Sequence, residues 1–422
     1  MMEKIVTASL IGDMVRSLAL PALKRAAGVV TRLLPIRQPT TLVGPGASAR
    51  LGQSIGGFGH RKVLLVTDAV VAQLGLAAGL TEALDASGTA WTVFDAVTAD
   101  APMPVVEQGI EQYQREGCDA IVAFGGGSVM DAAKAIGLAV ANLRHPRELV
   151  GYFRGLHAPP PIYAVPTTAG TGSEVTVVAV IADPQHQRKL VMADSRLVPR
   201  MAALDPCLMT GLPPHITAAT GMDALTHAIE AYIGYWGTAF SDRMARAAVG
   251  LIYQNLPIAF ANGQDLAARE QMALASSYAG QAFTRASVGN VHAMAHQLGA
   301  RYHTPHGLAN AIMLVPVLRF CSAAAERKLA DLAVHARVAD ASEPVALRAR
   351  KFIDSVAAMN RSMAIPSQLD ALREADIPAL AQAACWEADT NYPVPRTMSQ
   401  ADAEALLREV LPKPAAVRAL AR

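Results

Sequence analysis

The chain changes character once, at Asp205-Pro206. From residue 39 up to that point, short β-rich apolar runs alternate with helical stretches. Candidate strands are Thr41–Val43, Lys62–Thr67, Trp91–Val97, Ala120–Phe124, Ile162–Pro166 and Val175–Ala182, with helical patterns at 69–86, 103–117 and 128–142. Beyond Pro206, long Ala- and Leu-rich segments of helical periodicity run nearly to the end, and no clear strand interrupts them. Alternation of the first kind makes βαβ units and a mostly parallel, doubly wound sheet. The reading is therefore an α/β domain over 39–206, an all-helical domain over 207–422 and an active-site cleft between them. At 422 residues with 52% hydrophobic side chains, the chain can fill two cores.

The helical half carries the chemistry. Asp223 and His227 in GMDALTHAIEAY stand at i and i+4, so a helix projects both from one face towards a single point. His292 and His296 repeat that spacing in NVHAMAHQLGARYHTPHG, and His306 follows a Thr304-Pro305 break that turns the chain back. An Asp/His pair alone is more often a solvated or hydrogen-bonded helix face than a metal site. Yet four of the chain's eleven histidines fall between 292 and 306, and Met222, Leu225, Ile229 and Ile233 put the first helix in a core. An unpaired aspartate there is costly, and a metal would satisfy it. One carboxylate with imidazoles suits Fe, Zn or a neighbouring divalent ion.

The α/β half carries two loops that follow strands. IVAFGGGSVMDAAKAIG at 121–137 reads as strand, glycine turn and helix start, with Ser128 placed to cap the helix and the helix N-terminus placed to favour a phosphate. A glycine turn after a strand also occurs without a ligand. PTTAGTGSEVT at 166–176 is a second small, hydroxyl-rich loop, and such loops at the carboxyl ends of strands are where a doubly wound sheet binds ligands. Asp68, closing VLLVTD, can accept from ribose hydroxyls or cap the following helix.

A net charge of +2 with 17% charged residues gives no broad basic field, so no nucleic-acid partner is expected. Four scattered cysteines, Cys118, Cys207, Cys321 and Cys385, fit reduced thiols and a cytoplasmic location. No apolar run approaches bilayer-spanning length, so no integral membrane segment is expected. Residues 1–38 stand apart: Lys4, Arg16, Lys24, Arg25, Arg32 and Arg37 outnumber Glu3 and Asp13, and Ile11, Met14, Val15 and Leu18 keep helical spacing. They read as an amphipathic extension docked on the protein itself or on a neighbouring copy in a homo-oligomer.

Taken together and in order, GGGSVMDAAKAIG, PTTAGTGSEVT, MAALDP, TGMDALTHAIEAY and HAMAHQLGARYHTPHG resemble the iron-containing, or group III, alcohol dehydrogenase family over roughly residues 39–410. The resemblance implies a Rossmann-like N-terminal domain, a helical C-terminal domain, NAD in the cleft, and Fe(II), with Zn(II) as the alternative. It implies Asp223, His227, His292 and His306 as metal ligands and His296 as the catalytic residue near nicotinamide and substrate. It implies Asp68, Gly126, Gly127, Ser128, Asp131, Thr167, Thr168, Thr171 and Lys189 as cofactor-binding residues. The implied activity is reversible hydride transfer between NAD and a primary alcohol, diol or hydroxyacid, with the small alcohol or aldehyde as partner. A hydroxyacid–oxoacid transhydrogenase and a non-catalytic metal- and nucleotide-binding scaffold are the competing readings. Departures from the family pattern are Asp100 for an asparagine, His303 for the asparagine before Thr-Pro-His, and DTNYPVPR at 389–396 for a shorter NPR step.

Overall fold

The computed structural model describes residues 28–29, 34–186 and 188–412, so the amphipathic pattern of residues 1–27 lies outside the described residues. A six-stranded parallel sheet forms the N-terminal half in the order β1-β9-β6-β4-β2-β3. Its strands are β1 (Thr40–Val43), β2 (Lys62–Val66), β3 (Ala90–Phe94), β4 (Ala120–Gly125), β6 (Ile162–Pro166) and β9 (Met201–Leu204). Two interior apolar runs, KVLLV and AIVAFG, form adjacent strands, and both of their faces are covered. Val63, Leu65, Val122 and Phe124 face helices α1 (Ala47–Gly57) and α3 (Ala78–Ala86). Their alternates Leu64, Val66, Ile121 and Ala123 face α4 (Met103–Arg115) and α5 (Gly127–Asn142), as the two-residue period of a strand requires.

The helical pattern expected over 69–86 divides into α2 (Ala69–Gln73) and α3, because Gly75 takes φ +63 between them. Three strands escape the sequence reading. Met201–Leu204 is MAAL, with no β-branched residue, and becomes β9 only by pairing with β1 and β6 on either side. The others are β8 (Arg188–Ala193), which forms an antiparallel hairpin with β7 (Val178–Asp183), and the two-residue β5 (Gly151–Tyr152), which pairs with β8.

Beyond Pro206 every described regular element is helical. Eight α-helices follow: α6 (Pro214–Ile233), α7 (Ala239–Ala261), α8 (Leu266–Ala286), α9 (Asn290–Tyr302), α10 (His306–His335), α11 (Val345–Ser362), α12 (Ile377–Asn391) and α13 (Gln400–Glu409). Central to them is α6, buried on all sides from Gly221 to Ile233. On length and composition α10 could cross a bilayer, which corrects the expectation that no run was long enough. Within that apolar window, 67% of the residues are buried, and α10 packs against α6, α9 and α11 as a core helix.

Two close backbone approaches position the site. Gly172, at φ +59 in the loop after β6, meets Gly280 of α8, where an added Cβ would lie 2.6 Å from the Gly172 carbonyl oxygen. Gly307, the second residue of α10, meets α6, where an added Cβ would lie 2.4 Å from the Ala219 carbonyl oxygen and 3.3 Å from the Asp223 Cβ. The first contact joins the two halves; the second sets His306 beside Asp223. Gly307→Ala is expected to destabilise the fold by about 1–3 kcal/mol through overpacking and to reduce bound metal. Calorimetry and metal analysis check this against Gly211→Ala, whose added Cβ meets nothing within 4 Å and is expected to leave both values unchanged.

Candidate active site

Asp223 and His227 lie one turn apart on α6, His292 is the third residue of α9, and His306 opens α10. One ligand atom from each of the four lies within 4.8 Å of those of the others. The Asp223 carboxylate is 3.9 Å from His227 Nδ1, 4.0 Å from His292 Nε2 and 3.6 Å from His306 Nε2. Asp223, His227 and His292 are buried, and His306 is partly open. Burial holds the pKa of His227 and of His306 below the usual value and that of His292 well below it, so all three rings are neutral with lone pairs to give. His227 Nδ1 is buried without any hydrogen-bond partner. An orphaned ring nitrogen beside a buried carboxylate and two further neutral imidazoles is the donor set of a divalent metal site. Phe283 stacks on His227 at 4.4 Å and closes one side.

Several supporting residues were not anticipated from the sequence. Glu230 accepts from His292 Nδ1 at 2.6 Å, from Val291 N at 2.6 Å and from Gly289 N at 2.8 Å. That bond puts the ring proton on Nδ1 and leaves His292 Nε2 as the donor atom towards the centre. Burial pushes the Glu230 carboxyl up to about 7, against the pull of the backbone N–H groups of Val291, Gly289 and His292. Its signal was present, since 223, 227 and 230 keep one helical face. Asn310, one turn after His306, donates to Asp223 Oδ1 at 2.7 Å and lies 3.2 Å from both His292 Nε2 and His306 Nε2. His296 stands beside the four, stacked on His306 at 5.3 Å and edge-on to His292 at 5.8 Å.

Across the cleft, the two loops face each other. An added Cβ on Gly127 would lie 2.6 Å from Thr171, so bare glycine backbone at 127 is what lets these loops meet, while one on Gly126 would make only an ordinary contact with Thr168 at 3.6 Å. Thr167 is buried and its N–H donates to the Gly125 carbonyl. The N-cap of α5 is Gly126, with no side-chain cap; Ser128 does not cap the helix, and its Oγ accepts from the Asp100 N–H at 3.0 Å. Those uncapped backbone N–H groups leave the helix N-terminus open to an anion. Asp68 does cap α2, accepting from Val71 N at 2.9 Å through one oxygen only.

Asp131 points elsewhere. One of its oxygens accepts from Ser173 Oγ at 2.9 Å and the other from Val180 N at 3.0 Å, so it ties the loop after β6 and the start of β7 to α5. Burial raises its pKa. Next to it the buried Lys134 ammonium donates to Ser173 O and Oγ, Thr176 O and Oγ1, and Val178 O at 2.7–3.1 Å, with burial pushing its pKa down to about 8. Lys189 reaches from β8 to Asp100 at 2.9 Å, and its Nζ would lie 3.9 Å from a Cβ on Gly299 of α9.

Residues 39–206 match the family of iron-containing alcohol dehydrogenases, and residues 217–411 match the Fe-containing alcohol dehydrogenase family, C-terminal. Lactaldehyde reductase of Escherichia coli strain K12 is 40% identical over 355 residues, 83% of this chain and 92% of that protein. The NAD-dependent methanol dehydrogenase of Bacillus methanolicus is 35% identical over 88% of this chain and 98% of that protein. The crystal structure of a 1,3-propanediol oxidoreductase superposes with a TM-score of 0.87 at 37% identity, covering 90% of this chain and 100% of its own. The chain belongs to the iron-containing alcohol dehydrogenase family.

His292→Ala and His306→Ala are each expected to lose most of the bound metal and all turnover, measured by elemental analysis of reconstituted protein. Glu230→Ala is expected to keep the four donors but weaken metal affinity by about 10–100-fold, as loss of a carboxylate behind a ligating histidine does. Chelator competition reads this directly; unchanged affinity would remove Glu230 from the site.

Proposed function

We propose that this protein interconverts a small alcohol and its aldehyde or ketone with NAD, holding one divalent ion on Asp223, His227, His292 and His306. The observation that carries the reading is the unpartnered, buried His227 Nδ1 facing the Asp223 carboxylate. A bound ion, Fe(II) by family and Zn(II) by fit to the same donors, supplies a Lewis acid that lowers the pKa of a substrate hydroxyl. Gly126 and Gly127 offer backbone N–H groups at the start of α5 for a pyrophosphate, with Ser128, Thr167, Thr168 and Thr171 around them. Lys189 brings a cation to the same cleft, tethered by Asp100. His296 borders the metal-ligand cluster through its ring contacts with His292 and His306. Free thiols at Cys118, Cys207, Cys321 and Cys385 support a reducing, cytoplasmic setting, and assembly into a homodimer or larger oligomer completes the proposal.

The test is a panel of primary alcohols, diols and hydroxyacids with NAD on metal-reconstituted protein. Accumulation of free NADH with at least one of them is the expected result. Turnover only when an oxoacid is also present, with no free NADH, would favour the transhydrogenase instead.

Cofactor choice rests on the second oxygen of Asp68, which the α2 cap leaves available to ribose hydroxyls and which would repel a 2′-phosphate. Asp68→Ser keeps an N-capping oxygen and removes the charge. Its thermal stability is expected to stay near that of the parent while the ratio of NAD to NADP efficiencies falls. An unchanged ratio would restrict Asp68 to its capping role.

A further inference from the structure

Outside the metal cluster, one polar group in the cleft is held from three sides. Glu387, on α12, has Oε1 2.6 Å from His296 Nδ1 and 2.6 Å from the Tyr392 hydroxyl, while Oε2 accepts from Gln297 Nε2 at 2.7 Å. His296 and Gln297 are neighbours on α9, and Tyr392 is the residue that ends α12. The His296 and Glu387 side chains are each only 18% exposed. Burial alone would raise the Glu387 pKa, but His296, Tyr392 and Gln297 outweigh it and hold the group below the usual carboxylate range.

An ionised carboxylate only accepts hydrogen bonds, so a partner at 2.6 Å fixes the His296 proton on Nδ1. Nε2 is then the ring's one remaining polar atom, and in the neutral ring it carries the lone pair. The ring plane is fixed as well, by stacking on His306 at 21°. Gln297 holds the other oxygen of Glu387, and Tyr392 donates to the oxygen that His296 meets, so both oxygens are tied in place. The bracing group comes from α12 and the DTNYPVPR stretch, where this chain departs from the family pattern.

We propose that Glu387 is a positioning residue for the alcohol dehydrogenase reaction: with Tyr392 and Gln297 it locks His296 in one tautomer, so that Nε2 is a fixed hydrogen-bond acceptor for a hydroxyl entering the cleft. This rests on the activity proposed above. The role is distinct from that of Glu230, which performs the equivalent task for a metal-ligand candidate, His292.

The test is a double-mutant cycle on the full-length, metal-reconstituted enzyme. Glu387→Ala is expected to lower kcat about tenfold with KM for NAD and metal content unchanged, and Glu387→Gln, which keeps an acceptor for Nδ1–H, to recover most of the loss. In a His296→Ala background, Glu387→Ala is expected to change kcat by less than about twofold. An equal loss in both backgrounds, or no loss in either, overturns the proposal. Should Glu387→Ala fail to fold, Tyr392→Phe removes a single donor, and its smaller kcat loss must likewise vanish in the His296→Ala background. Nitrogen-15 spectra of labelled histidine rings in the Zn(II)-loaded protein give a readout independent of turnover. His296 is expected to be protonated at Nδ1 and to lose that preference in Glu387→Ala; an unchanged tautomer sinks the idea even if no alcohol proves to be a substrate.

Discussion

Burying a carboxylate in the middle of a helical core is the constraint on which the rest of this structure depends. Asp223 lies in the segment of α6 that has no exposed face, and an ionised group there is expensive unless other groups meet it. The chain meets it with three imidazoles and one amide, drawn from α6, α9 and α10. Each of those groups needs its own support. Glu230 holds His292, the Gly307 approach seats His306, and Phe283 covers His227. The helical half is thus organised outwards from one acidic side chain, with successive layers of polar groups satisfying the layer inside.

The α/β half meets a different requirement, which is to expose backbone rather than side chains. Glycines 126 and 127 leave main-chain N–H groups uncapped at the head of α5, and the threonine loop lies against Gly127 closer than an added Cβ would allow. The two halves meet through glycine again, at Gly172 and Gly280. A few charged groups in this half are turned inward. Asp131 and Lys134 stabilise the loop after β6 from behind, so its ligand-facing side is built of small residues on a rigid, charge-anchored base.

Much of this was legible in the sequence, and for identifiable reasons. The change at Asp205-Pro206, the buried strands at 62–66 and 120–125 and the helical spacing of Asp223, His227, His292 and His306 all depend on local periodicity. What escaped depends on distant partners. MAAL becomes β9 only because two other strands flank it, and Arg188–Ala193 only because β7 folds back onto it. The bonds that Asp131 makes to Ser173 and Val180 likewise come from across the fold. Ser128 was read as a cap because it follows a glycine turn, yet its hydroxyl is taken by Asp100. Glu230 is the exception, being placed by the same periodicity as its neighbours on α6 and readable from it.

Lys134 bears on how such a protein can change over time. Its ammonium is tied to five oxygens of the segment from Ser173 to Val178, among them three main-chain carbonyls, so the backbone there is set by one buried side chain. A substitution on that loop can alter a side chain but cannot readily alter the path of the chain. New substrate preferences would then be acquired from the other walls of the cleft.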